Sequence, residues 1–355
     1  MWMHRLTRGH RAPIKPIRVG LVGCGGVGGA VHLRLLRRMP GVTLVAVADM
    51  DPNGRDTAER AGVSVTAETG SLLSRPDLDA IVIAVPPLAH AAVATAALES
   101  GRHVYLEKPL AASLADGQAI LDAWRRPARP ARVGMIGFNY RFNPLVRKAR
   151  QLLECGAVGR PLAARTVFSI VKRPAPAWRY SAAQGGGPLL ELASHHVDLI
   201  AYLFQTRVVE VAADCPVPDA DATVALRLGL EGGLEVHSTF SVDGIDDDRI
   251  EVTGERGTLT VDRYHGWHVH VTGLRPALWG NRLRNTMGAL AGSPHLFRKL
   301  RSPYHEPSYW FALQHFLDAV RGSHAASPDF ADGYRALEVV VAATESLTHR
   351  RPASL

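Results

Sequence analysis

Between residues 17 and 138 the chain returns five times to a short, nearly unbroken apolar run: Ile17–Val22, Val42–Val47, Ala80–Val85, His103–Leu106 and Arg132–Phe138. None of them alternates polar with apolar positions. Strands covered on both faces of a parallel sheet carry runs of this kind. Helical patterns lie between them, as in Leu88–Ser100 and Ser113–Trp124. Strand and helix in alternation predict βαβ units and a doubly wound parallel sheet.

The pattern changes after Arg141. A helix is expected at 143–154, a strand at about 162–171 and a Pro- and Gly-rich loop from Lys172 to Pro188. A further helix is expected at about Leu189–Phe204. From Val208 to Val271 the positions alternate, most clearly in Ala222–Leu228, with turns at Glu231-Gly232-Gly233, Asp243-Gly244 and Glu255-Arg256-Gly257. That is the signature of an antiparallel meander with one solvated or interface face. Residues 273–307 read as irregular, and helices at 308–321 and 331–349 close the chain. A length of 355 residues suits two domains. The boundaries are placed at 1–16 for a disordered basic lead-in, 17–140 for the doubly wound domain and 141–355 for the second domain.

Composition narrows the classes. Hydrophobic residues make up 46% and charged residues 21%, as in an ordinary globular chain. No apolar run reaches the roughly 18–20 residues of a membrane span, and residues 1–16 lack the apolar core of a signal peptide. The net charge of +8 is split between Arg5, Arg8, Arg11, Lys15 and the stretch Arg282–Arg301. No aromatic residues interleave these as a nucleic-acid stacking platform requires, so the basic residues read as solvated surface. Cys24, Cys155 and Cys215 are widely spaced. They form neither a disulfide framework nor a cysteine metal site, which suits a reducing cytoplasm.

Chemistry enters at Gly23-Cys24-Gly25-Gly26-Val27-Gly28, which fits G-x-G-x-x-G between the first strand and a helix. Gly23 allows the tight turn, Gly25 lets backbone approach a pyrophosphate, and Gly28 lets helix and strand pack closely. The helix N-terminus then presents free N–H groups to the phosphates. Asp49 follows at the end of the second strand, at the offset expected of a carboxylate accepting from ribose hydroxyls. Strand, loop, helix and acid together predict dinucleotide binding. Asp49, followed by Met50 rather than a cation, favours NAD over NADP, with Arg55 the one nearby residue that speaks for NADP.

A second turn, Glu107-Lys108-Pro109, ends the fourth strand, on the edge where open α/β sheets bind ligands. Farther on, Glu191, His195 and Asp198 are spaced i, i+4, i+7, so a regular helix would put them on one face. Histidine and acid at that spacing can also ligate zinc. No third ligand cluster accompanies them, and no metal is expected.

With these pieces, Ala84–His90, Ser100–Pro109, Gly185–Asp198 and Val252–Leu259, the chain resembles the Gfo/Idh/MocA family of glucose–fructose oxidoreductases and inositol dehydrogenases. The resemblance runs from residue 17 to about 352. It implies an N-terminal Rossmann domain and a C-terminal α/β domain with an open, largely antiparallel sheet. It implies that Lys108 lies beside nicotinamide and substrate, that the Lys108–Pro109 bond is cis, and that Pro86, His90 and Glu107 line the cofactor with the glycine loop. It assigns His195 as the general base. The family's aspartate four residues earlier is Glu191 here, one methylene longer. Tyr140, Arg141, Trp178 and Arg179 are further substrate candidates from the domain junction and the loop before the helix. The resemblance also implies sheets packed face to face in homodimers or homotetramers, through an apolar face that includes Val224 and Leu226 or their alternates.

The expected activity is an NAD(P)-dependent oxidoreductase moving a hydride between nicotinamide and a hydroxyl or keto carbon of a sugar, sugar nucleotide or cyclitol. Two alternatives stand beside it: an NAD-dependent glycosidase of the same fold, and a non-catalytic NAD or sugar sensor.

Overall fold

The computed structural model describes residues 15–128, 131–182, 185–215, 222–273 and 279–355. The expected lead-in thus lies, except for its last two residues, outside the described residues.

The first sheet has six parallel strands in the order β3-β2-β1-β4-β5-β6. They are β1 (Ile17–Val22), β2 (Val42–Ala48), β3 (Ser64–Thr66), β4 (Ala80–Ile83), β5 (His103–Leu106) and β6 (Gly134–Ile136). The apolar runs form because both faces are covered, and all four residues of β4 are fully buried. The connecting helices are α1 (Arg34–Leu36, entered through a π-helical turn at Gly28–Leu33), α2 (Pro52–Arg60), α3 (Thr69–Leu73), α4 (His90–Glu99) and α5 (Leu114–Arg125). Asp51 caps α2 and Ser113 caps α5, each accepting from a backbone N–H of the first turn. This is the Rossmann order, and the strand order reverses between β1 and β4, where such sheets take their ligands.

After α6 (Pro144–Glu154) the second sheet begins. It contains β7 (Pro161–Ser169), β8 (Val208–Asp214), β9 (Thr223–Leu230), β10 (Glu235–Ser241), β11 (Asp247–Gly254), β12 (Gly257–Asp262), β13 (His270–Gly273) and, near the C-terminus, β14 (Ala353–Ser354). Their order is β13-β12-β11-β7-β10-β9-β8-β14, and only β7 and β10 run parallel. Helix α7 (Ser194–Phe204) follows a second π-helical turn at Leu189–Ala193.

The sheet's faces correct one expectation. Val224, Leu226, Leu228 and Leu230 of β9 all point inward and are nearly fully buried. The opposite face carries Arg165, Arg227 and Glu251, with ion pairs Arg165–Glu251 and Arg227–Glu235 across strands. Val224 and Leu226 therefore belong to the core, because one face of the sheet is already needed to cover helices. The outer face is ion-paired rather than apolar.

A second correction concerns 273–307. Residues Trp279–Arg301 form the long helix α8. Its pattern misleads because Pro294 lies inside it and because Met287, Leu290, Phe297 and Leu300 are exposed. Helices α9 (Ser308–Val320) and α10 (Phe330–His349) end the chain. Ala312, Leu313, Phe316 and Leu317 of α9 pack on one face of the parallel sheet with Val19, Leu21 and Tyr105. A single apolar cluster joins Ile81, Leu106 and Ile136 of the first sheet to Leu226, Val236 and Phe240 of the second. That continuity fixes the two sheets, and the residues at their junction, relative to each other.

Candidate active site

The glycine loop separates crowded from open positions. A Cβ on Gly23 would lie 2.5 Å from the Ala84 carbonyl oxygen, and one on Gly28 would lie 2.1 Å from that of Gly23. Gly23 also has φ +87°, which side-chain-bearing residues rarely adopt. At Gly25 and Gly26 nothing lies within 4 Å of such a Cβ, and both are exposed. Glycine is needed at 23 and 28 for packing, whereas 25 and 26 leave backbone open to a ligand. Half-buried Val27 completes the turn. These residues fit a dinucleotide pyrophosphate.

The Asp49 carboxylate accepts from the Cys24 N–H at 2.5 Å and from the Asp51 N–H at 2.8 Å. It braces the glycine loop while remaining half-buried at the strand end. Arg55, the residue that spoke for NADP, donates to the carbonyls of Asp49 and Met50, both at 2.9 Å. One end of its guanidinium is thus held on backbone. Pro86 is exposed at the end of β4. His90 is buried, with its ring nitrogens 2.8 Å and 2.9 Å from the carbonyls of Pro109 and Val85. It ties the Pro86 loop to the Lys108–Pro109 turn, whose peptide is cis as expected.

Glu107 is 8% exposed and lies 2.7 Å from Nε2 of His32, a fully buried residue in the helical turn after the glycine loop. This contact links the helical turn after the glycine loop to the Glu107-Lys108-Pro109 turn. Nothing in the sequence singled out His32.

Lys108 and the histidine helix meet at Glu191. The Lys108 ammonium donates to the Glu191 carbonyl at 2.8 Å and lies 3.8 Å from its carboxylate. That carboxylate accepts from Arg179 Nε at 3.1 Å. The extra methylene lets Glu191 reach Arg179, which stands beside Trp178 in the helical turn Ala177–Tyr180. Burial lowers the Lys108 pKa, against the opposing pull of Glu191.

His195 is 5% exposed, and its Nδ1 has no hydrogen-bond partner among the described residues. Its ring stacks on Tyr140 with centroids 4.1 Å apart and 17° between planes. Burial is the largest cause of a pKa well below the ordinary imidazole value, and the Lys108 and Arg263 cations push the same way. A neutral imidazole with a lysine close by can accept a proton from a hydroxyl while the lysine stabilises the oxygen left behind.

Two placements differ from expectation. Arg141 does not face this group: it makes a two-pronged contact to Asp198 at 2.8 Å and 2.5 Å and reaches Asp332 at 3.4 Å. Asp198 is taken up by that contact instead of joining Glu191 and His195. The π-helical turn at Leu189–Ala193 breaks the 3.6-residue period on which i, i+7 relies.

An ion cluster that the sequence reading did not single out lies behind Tyr140. Arg263 is 4% exposed, donates to Asp248 at 3.0 Å, pairs with Glu306 and lies 3.5 Å from the centre of the Tyr140 ring. His196, fully buried, is 3.4 Å from Asp248. Among the described residues no group of three or more His, Cys, Asp or Glu could hold a metal ion.

Comparison with known proteins gives the family. Residues 17–147 match an oxidoreductase family with an NAD-binding Rossmann fold, and residues 146–260 match the GFO/IDH/MocA C-terminal domain. Inositol 2-dehydrogenase 1 of Saccharopolyspora erythraea is 30% identical over 338 residues, covering 92% of each chain. Myo-inositol 2-dehydrogenase of Thermotoga maritima is 28% identical, covering 96% of this chain and 98% of its own. The crystal structure of an oxidoreductase domain protein from Kribbella flavida superposes with a TM-score of 0.80 at 23% identity, over 96% of this chain and 99% of that one. The chain belongs to the GFO/IDH/MocA family of NAD-binding oxidoreductases.

Proposed function

We propose that this oxidoreductase acts on a secondary hydroxyl of a cyclitol or sugar, with Lys108, His195 and Glu191 as its catalytic residues. The observation that carries the reading is that Lys108 reaches across 83 positions to Glu191, in the helical turn that leads into His195, and that its ammonium acts electrostatically on the buried His195 imidazole. The names of the inositol dehydrogenases it resembles support the substrate class. NAD, when bound, supplies the hydride acceptor. The glycine loop Gly23–Gly28, Asp49, Pro86, Glu107 and Lys108 would hold it, with His90 supporting the loop from behind. His195 takes the hydroxyl proton, and Lys108 donates to the oxygen as negative charge develops there. Glu191, Arg179, Trp178 and Tyr140 form the surrounding wall. Arg141 is left out of the contact set because its donors are spent on Asp198 and Asp332.

A screen of inositols, aldoses, sugar phosphates and sugar nucleotides, followed by NADH absorbance, tests the reading. Turnover is expected on at least one of them, with higher kcat/KM for NAD than for NADP because Asp49 disfavours a 2′-phosphate. An NADP advantage would remove Asp49 from its role. Tight NAD binding without turnover would favour the sensor, and product without net NADH would favour the glycosidase.

The reading includes a homo-oligomer in the reducing cytoplasm. The wide spacing of Cys24, Cys155 and Cys215, with no CxxC pair among them, supports the compartment. The exposed Met287, Leu290, Phe297 and Leu300 of α8 support self-association, since exposed apolar surface tends to be covered. Light scattering at micromolar concentration should give a dimer or larger species, and a monomer would overturn this part.

A further inference from the structure

The His195 ring is held in a sandwich built from three different elements. Tyr140, in the helical turn Asn139–Phe142 that follows β6, stacks on the imidazole at 4.1 Å. The Arg263 guanidinium lies 3.5 Å from the centre of the same tyrosine ring. Two planar groups so close to one ring centre cannot share a face, so the tyrosine lies between imidazole and guanidinium. Phe138 and Phe168 meet the imidazole edge-on at 6.3 Å and 6.1 Å. Arg263 cannot drift, because Asp248 of β11 and Glu306 hold its nitrogens and all three residues are buried. Glu306 itself accepts from the Asn143 amide and the Ser308 N–H, both at 3.0 Å.

We propose that Tyr140 and Arg263 are positioning residues for His195: the anchored guanidinium fixes the tyrosine plane, and the tyrosine plane fixes the orientation of the imidazole. The inference rests on His195 acting as the base. The arrangement has two consequences. The ring cannot swing away from the hydroxyl, because one face is occupied and two edges are walled. A cation across a roughly 8 Å stack also disfavours a second proton on the ring. The charged and titratable groups acting on His195 are Lys108 from the β5 turn and Arg179 from the Ala177–Tyr180 turn, both paired to Glu191, Arg263 with its partner Asp248, and His196 from its own helix. The cations push against imidazolium, in the same direction as burial.

The base works only when neutral, so a depressed imidazole pKa extends activity to lower pH. Loosening the sandwich admits water to the ring and moves the acid limb of kcat/KM upward, toward the ordinary imidazole value.

The test uses the full chain with NAD and the substrate found by the screen. Tyr140→Leu removes the ring but leaves Arg263 with both carboxylates. It should lower kcat by about tenfold or more, a fraction of what loss of the base itself costs. NAD Kd, read by fluorescence quenching, should stay within about twofold, and the acid limb should rise by about one pH unit. Tyr140→Phe, which keeps the stacked ring, should restore most of the loss. Arg263→Lys keeps the charge and should retain the wild-type acid limb. Arg263→Met should raise the limb wherever it folds, and Tyr140→Leu carries the test if it does not. A wild-type pH profile in Tyr140→Leu, or an equal loss of NAD affinity and thermal stability, would overturn the proposal. His195→Ala separates the two levels. If it abolishes turnover while Tyr140→Leu leaves the pH profile unmoved, the base stands and the sandwich falls. If His195→Ala turns over normally, the underlying assignment falls first.

Discussion

His195→Ala and Lys108→Ala should each lower kcat by roughly 10²- to 10⁴-fold, the usual range for loss of a positioned acid or base. NAD affinity should change little in either variant, because in the proposed binding mode the cofactor's phosphates would meet Gly25 and Gly26, where no side chain crowds the backbone. Lys108 also donates to the Glu191 carbonyl, so its variant requires a melting curve alongside the kinetics. If both side chains serve one proton-transfer step, the double variant should be scarcely worse than the worse single one. Independent effects would multiply instead. Single-turnover NADH formation checks this directly. Near-normal turnover in one variant would reassign that residue, and near-normal turnover in both would move the active site elsewhere.

Much of this site could be read from the sequence because its residues obey local rules. The glycine loop, Asp49, Pro86 and Lys108 all lie just beyond the C-terminal ends of parallel strands, and those strands announce themselves as buried apolar runs. The three-residue strand β3 does not, since none of Ser64–Thr66 is fully buried and it has no run to show. Helix α8 went unseen because Met287, Leu290, Phe297 and Leu300 face solvent.

The Arg263 cluster had a signal that is easier to state than to trust. In β11 the inward positions are Asp248, Ile250 and Val252, and along β12 they are Leu259 and Val261, with Arg263 continuing the same parity. A charge on the apolar parity of a strand calls for an opposite charge beside it. The two charges are brought together where the Arg263 N–H donates to the Asp248 carbonyl. Only the β11–β12 register makes them neighbours, and register is a tertiary fact. His32 is less legible still, because its partner Glu107 lies 75 positions away and the contact depends on how the first helix lies over β5.

Arg141→Ala should destabilise the fold by about 3–5 kcal/mol, the usual result of stripping one partner from a buried ion pair. The Asp198 side chain is 2% exposed and the Arg141 side chain 12%, so water cannot replace the lost guanidinium. Even with Arg141 present, burial raises the Asp198 carboxyl to about 6, against an ordinary value of 3.8. A carboxyl whose folded pKa lies above its unfolded one favours the fold at low pH and loses that contribution as pH rises through the folded value. Without Arg141 the carboxyl should shift higher still, so the loss in Arg141→Ala should be larger at pH 8 than at pH 5. Urea unfolding at the two pH values measures it. The double variant Arg141→Met/Asp198→Leu removes both charges and should recover most of the stability, because apolar replacement of a whole buried pair is often neutral or better. Its recovery would give a large coupling energy in the double-mutant cycle. If Arg141 were a substrate contact instead, Arg141→Ala would leave the unfolding curve nearly in place and raise KM. The two-pronged contact to Asp198 points to stability, and a raised KM with an unmoved midpoint is the result that would restore Arg141 to the substrate wall.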